Sequence, residues 1–136
     1  MTSFLLQKKV IFSARKTSGF AFDGSITYDT INVNVGGGMQ SNGEFIAPES
    51  GTYGFTFSAV TGDEKHVTRV LVYKDGLFTH YIYDGNEANE FNNINSSWMM
   101  KLAKGQRVHL TVTDGKLYAF SSSTVTFTGN LLMLDE

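Results

Sequence analysis

A chain of 136 residues is the size of one domain and long enough to bury a substantial apolar centre. Hydrophobic residues make up 41% of it and charged residues 18%, which excludes the charge-rich composition of a disordered segment. Eleven Lys and Arg against thirteen Asp and Glu give a formal charge of −2, excluding the basic footprint of sequence-independent nucleic-acid binding, and the lack of cysteine excludes disulfide frameworks and thiolate chemistry.

Near the N-terminus, Phe4-Leu5-Leu6 is too short for a signal-peptide core and is ended by Lys8-Lys9. No apolar run approaches the roughly 18 residues of a membrane span, so membrane insertion is not expected. Residues 1–9 read as an extension ahead of a domain over residues 10–136. From there nearly every segment alternates with period two and is rich in Val, Ile, Thr, Phe and Tyr, as a strand with one buried face requires.

Strands are predicted over 10–14, 26–35, 44–47, 53–59, 67–73, 78–83, 98–102, 107–113 and 124–134. The clearest is the fourth, where Tyr53, Phe55, Phe57 and Ala59 share one face and small polar residues take the other. Residues 96–104 contain helix formers but no i, i+3, i+4 apolar stripe; Trp98, Met100 and Leu102 alternate instead, as in a strand. Between the strands stand Gly36-Gly37-Gly38, Asn42-Gly43, Ser50-Gly51, Asp75-Gly76, Lys104-Gly105 and Asp114-Gly115, all suited to the positive φ of tight connections. Asp75-Gly76 and Asp114-Gly115 read as hairpins. The triple glycine lacks the Lys-Ser/Thr of a phosphate-binding loop and a following helix, so it reads as a β connection. Residues 86–95 are Asn-rich and read as a long loop. This spacing of short strands predicts a two-sheet sandwich or a barrel.

Ordered motifs narrow that reading. Val10-Ile11-Phe12-Ser13-Ala14 is followed by Ile26-Thr27-Tyr28-Asp29 with Asn34 and Gly36, then by Gly43-Glu44-Phe45-Ile46-Ala47-Pro48 and Gly51-Thr52-Tyr53-Gly54-Phe55. Toward the C-terminus come Leu102-Ala103-Lys104-Gly105-Gln106-Arg107-Val108, Gly115-Lys116-Leu117-Tyr118-Ala119 and Phe127-Thr128-Gly129-Asn130-Leu131-Leu132. In this order the blocks resemble the C1q globular domain family, which shares its fold with the tumour necrosis factor superfamily. The resemblance implies an all-β, ten-strand jelly-roll sandwich of two five-stranded antiparallel sheets. It further implies a compact homotrimer with aromatic and aliphatic residues at its threefold interface, an extracellular location and no catalytic machinery. The sequence's eighteen aromatic residues agree, being generous for a single core. The chain departs from the family in having no G-X-Y stalk and no cysteine, Gln106 where Asp is usual, and Asn130 where an aromatic often stands. It is thus similar to stalkless invertebrate members, which often bind glycans or microbial surface patterns in innate immunity.

Candidate chemistry concentrates in residues 84–95. Asp84, Asn86, Asn89, Asn92 and Asn93 gather carboxylate and carboxamide oxygens, the ligand type that suits calcium. The spacing does not match an EF-hand. In calcium-binding relatives an Asp ends the preceding strand and another follows eight positions on. Asp84 matches the first and Asn92 replaces the second, which implies a calcium site of lowered charge and affinity. The same groups suit sugar hydroxyls, and Phe91 and Tyr118 are candidate rings for an apolar sugar face. Asn95-Ser96-Ser97 is the glycosylation sequon. His66, His80 and His109 lie far apart without metal-ligand spacing and read as surface or structural residues. The expected function is therefore a secreted, lectin-like recognition module; the alternative is a cytokine-like or adhesive ligand for a protein receptor.

Overall fold

The computed structural model of the protein describes residues 8–62, 67–85, 91–120 and 122–135. These form twelve strands: β1 Ile11–Lys16, β2 Gly19–Ala21, β3 Gly24–Ser25, β4 Thr30–Val35, β5 Phe45–Ile46, β6 Gly51–Thr61, β7 Thr68–Lys74, β8 Leu77–Asp84, β9 Asn93–Leu102, β10 Arg107–Asp114, β11 Leu117–Ala119 and β12 Val125–Leu134. Among the described residues no helix is long and apolar enough to cross a membrane.

One sheet runs β2-β11-β6-β12-β1-β4, with β9 on the other side of β6; the second runs β3-β10-β7-β8, with β5 also on β10. Every pairing is antiparallel. Setting aside the short β2 and β11, each sheet has five strands, the expected jelly-roll plan. Three strands, β2, β3 and β11, escaped sequence reading because two or three residues are too few to establish a period.

The alternation of β6 dictates the packing between the sheets. Tyr53, Phe55, Phe57 and Ala59 are buried as expected. Phe12 lies 5.0 Å from Phe127 edge-on and stacks on Phe45 at 4.8 Å, while Phe55 stacks on Phe127 at 5.7 Å. Val70 and Val72 of β7 and Val108, Leu110 and Val112 of β10 close this core from the second sheet. Each such side chain contributes about 1.5–3 kcal/mol on full burial, so the sandwich is held chiefly by this layer.

Three expectations change. The predicted strand 26–35 is shorter than expected: only Thr30–Val35 form a strand, β4 of the seven-stranded sheet, while β3, just before the predicted start, belongs to the five-stranded sheet, and the chain crosses between them over 26–29. Ile26 and Tyr28 are buried on the way, with the Ile26 amide bonded to the Leu110 carbonyl at 2.9 Å, so the alternation persists through a crossing. Asp114-Gly115 is likewise a crossing rather than a hairpin, since β10 and β11 lie in different sheets. Gly115 takes φ 72°, and a β-carbon there would stand 2.8 Å from the Val67 carbonyl oxygen. Asp75-Gly76 does close the β7–β8 hairpin, with φ of 52° and 82°, the left-handed pair of a type I′ turn. Finally, β9 begins at Asn93, five residues before the predicted start, so Asn93 and Asn95 belong to a strand and not to a loop.

Candidate functional site

Asp84 ends β8, and Asn92 immediately precedes β9; the two meet at one corner of the sandwich. Thr61, the last residue of β6, joins them. Its hydroxyl donates to Asp84 Oδ2 at 2.9 Å, and its backbone amide donates to the Asn92 carbonyl at 2.8 Å. The Asn92 Nδ2 group also approaches Asp84 Oδ2, at 3.5 Å. Thr61 is fully buried, because β9 and β11 both pair with the end of β6 and close over it.

Beside this polar knot lies an aromatic cluster. The Tyr118 ring packs over Gly62, the residue after Thr61. Phe91 meets Tyr118 edge-on at 5.3 Å and Phe120 at 5.7 Å, and Phe20 on β2 meets Tyr118 edge-on at 4.8 Å. The Lys116 ammonium stands 5.5 Å from the Phe20 ring and 5.8 Å from the Phe22 ring. Phe20, Phe22, Phe91 and Phe120 are exposed, so the cluster presents rings to solvent with a cation at its margin.

The expected pairs Asp84 with Asn92 and Phe91 with Tyr118 are thus brought together. Asn93 and Asn95 are exposed on β9, opposite Val60 and Ser58. Asn86 and Asn89 lie outside the described residues, as does His66. Sequence reading missed Thr61, Phe20, Phe120 and Lys116; Thr61 carries no motif, and the others join the corner through the short β2–β11 pairing.

As a calcium site the described part of the corner is thin. Calcium takes six to eight oxygens. Thr61, Asp84 and Asn92 bring one carboxylate, and two of their groups already direct hydrogen at its Oδ2 atom. Among the described residues no group of three or more His, Cys, Asp or Glu comes together. The knot is held by hydrogen bonds.

The C1q domain family model matches residues 11–132. The chain belongs to the C1q domain family. It is 29% identical over 128 residues to Complement C1q tumor necrosis factor-related protein 3 of Mus musculus, covering 91% of this chain and 51% of that protein. It is also 29% identical over 141 residues to Caprin-2 of Danio rerio, covering 96% of this chain and 15% of the relative. The chain therefore spans about half the length of the first relative and a small part of the second. Among solved structures, the globular domain of zebrafish Complement 1qA superposes with a TM-score of 0.74 at 17% identity, over 93% of this chain and 99% of that one. Murine APRIL at pH 5.0 gives 0.74 at 13% identity over 92% and 100%, and Eiger TNF from S. frugiperda gives 0.73 at 10% over 96% of each. These likenesses show the shared jelly-roll fold.

A C1q domain is a recognition or ligand module. Its two described histidines, His80 and His109, both pack against aromatic rings. His109 stacks flat on Tyr73 at 5.0 Å on the outward face of the five-stranded sheet. His80 sits where β8 and β9 meet, edge-on to Trp98 at 5.1 Å. The Thr79 hydroxyl donates its one hydrogen to the Val72 carbonyl at 3.1 Å, so it accepts from His80 Nδ1 at 3.0 Å. The ring is thereby fixed as the Nδ1–H tautomer, with Nε2 buried and without a hydrogen-bond partner among the described residues. Burial holds the His80 pKa below the usual histidine value.

Proposed function

We propose that this C1q domain is a secreted, non-catalytic recognition module that binds glycans of the kind displayed on microbial surfaces at the Asp84–Phe91–Tyr118 corner. The observation carrying the reading is the juxtaposition of an oriented carboxylate and carboxamide, Asp84 and Asn92, with exposed rings at Phe91 and Phe20. Sugars offer hydroxyl pairs to the first kind of group and apolar ring faces to the second. No metal is needed to fix Asp84, because Thr61 already orients it. The active unit in this reading is a homotrimer. Three weak sites at fixed geometry then gain avidity on a repetitive surface without any single strong contact.

A glycan array run with calcium and with a chelator tests the proposal. The expected result is binding that persists in chelator and falls at least tenfold in Phe91→Ala and Asp84→Ala. An array without signal in either condition would overturn it and favour a protein receptor as the ligand. Light scattering at micromolar concentration tests the assembly separately, and a monomer mass would remove the avidity mechanism.

A further inference from the structure

We infer that the outward face of the five-stranded sheet is a second binding surface, a platform for an uncharged polysaccharide chain. Register puts its rings side by side. Tyr73 of β7 stands opposite both His109 of β10 and Phe78 of β8, and Tyr81 and Tyr83 follow Phe78 along the edge strand. Their centroids form a continuous path: Tyr73 to Phe78 6.4 Å, Phe78 to Tyr81 6.4 Å, Tyr81 to Tyr83 6.2 Å. Phe78 lies three residues before Tyr81, a spacing that would put it on the opposite face of a regular strand. A bulge between Val72 and Tyr73 absorbs the extra residue, Thr79, whose hydroxyl bonds the Val72 carbonyl, and so returns Phe78 to the outward face.

Area and charge identify the occupant. Phe78, Tyr81 and Tyr83 are 52%, 55% and 51% exposed. At about 150–250 Å² per aromatic side chain, the row leaves roughly 300 Å² of ring surface open. That is the size of a contiguous patch but under half the roughly 800 Å² per partner of a standard protein interface. It is the scale of a few sugar rings lying flat. Among the described residues two charged pairs on this face are already formed: Arg69 bonds Asp114 at 2.8 Å while lying 5.4 Å from the Tyr83 ring centre, and Arg107 bonds Glu44 at 2.9 Å. An anionic or cationic polymer would compete with those pairs, whereas a neutral one would meet rings with tyrosine hydroxyls at their edges. The inference shares its ligand class with the corner reading, but the residues are different.

Co-sedimentation of the full chain with insoluble cellulose, chitin and β-1,3-glucan, in chelator throughout, separates the two. The expected result is retention on at least one polymer, reduced at least tenfold by Tyr81→Ala with Tyr83→Ala and in the same direction by Tyr83→Ala alone, and reduced less by Asp84→Ala, which belongs to the corner. Folding of each variant is checked by its thermal transition. Unchanged retention in the tyrosine variants, or retention lost in Asp84→Ala alone, sinks this inference and leaves the corner standing. Retention on none of the three polymers, or on a charged polymer such as heparin alone, also overturns it. A smaller assembly mass in the tyrosine variants would assign the face to contacts between copies of the chain instead.

Discussion

Replacing Thr61 by Val deletes one hydroxyl from the corner while keeping its shape. The hydroxyl has one hydrogen, and the 2.9 Å distance to Asp84 Oδ2 against 3.4 Å to the Asn92 carbonyl assigns it to the carboxylate. A hydrogen bond to a charged group is worth about 1.5–3 kcal/mol. Asp84 is partly exposed, so water recovers some of that, and the expected loss is about 1–2 kcal/mol. For a domain of this size, between the small and medium classes, each kcal/mol moves the melting temperature by roughly 3–5 °C, giving a fall of about 3–10 °C. Circular-dichroism melts at pH 7 and equal subunit concentration measure it, the latter because assembly shifts the transition by mass action. Asp84→Asn completes a double-mutant cycle, in which the coupling with Thr61→Val should be about 1 kcal/mol. A Thr61→Val protein within about 0.3 kcal/mol of wild type, or strict additivity with Asp84→Asn, would refute the assignment of that bond as the support of the corner.

His80→Gln should flatten the acid side of the stability profile. With the folded pKa depressed by burial, the unfolded chain binds the extra proton, so this contribution is complete above about pH 6.5 and is lost as pH falls toward the folded value. Melts from pH 7.5 to 5 check this, and equal slopes in both proteins would contradict it. Asp29 stays clear of that window: its pKa is lowered by hydrogen bonds from the Thr17 amide and the Thr30 and Thr17 hydroxyls, so its contribution is lost only below about pH 4. Gly115→Ala and Gly76→Ala both force a β-carbon into positive φ, but only the first drives it against Val67 and Thr68. Urea midpoints should place Gly115→Ala at least about 1 kcal/mol below Gly76→Ala, and equal midpoints would dismiss the steric argument.

The buried layer was legible because burial and period two coincide there: the run from Tyr53 to Ala59 states its own inward face, and the ordered glycine and aromatic blocks name the family over residues 11–132. What was hidden is set by pairing across long sequence separations. Thr61 looks like any β-branched residue at a strand end, and its role depends on Asp84, 23 positions away, and Asn92, 31 positions away. Phe20 reaches the corner through β11, nearly a hundred residues downstream in the sequence, at the scale of loop closure that no local window contains. The crossing at 26–28 keeps a strand-like alternation because Ile26 and Tyr28 are both buried, so periodicity marks it as strand without saying which sheet it joins, while Asp114-Gly115 has the composition of a hairpin turn although the strands it joins lie in different sheets.

The same physics explains why the outward aromatic row escaped notice. A strand with period two commits each residue to one face, and a single inserted residue exchanges the faces of everything beyond it. Counted from Tyr83, Phe78 falls on the buried side, together with Ile82 and His80, and sequence alone would send it to the core. Thr79 reverses that by standing outside the ladder, tied to Val72 through its hydroxyl and to His80 Nδ1 through the same oxygen. One residue thus sets two things at once: the outward position of Phe78 and the tautomer of a half-buried histidine beneath it. The aromatic row and the His80 tautomer therefore share one structural cause.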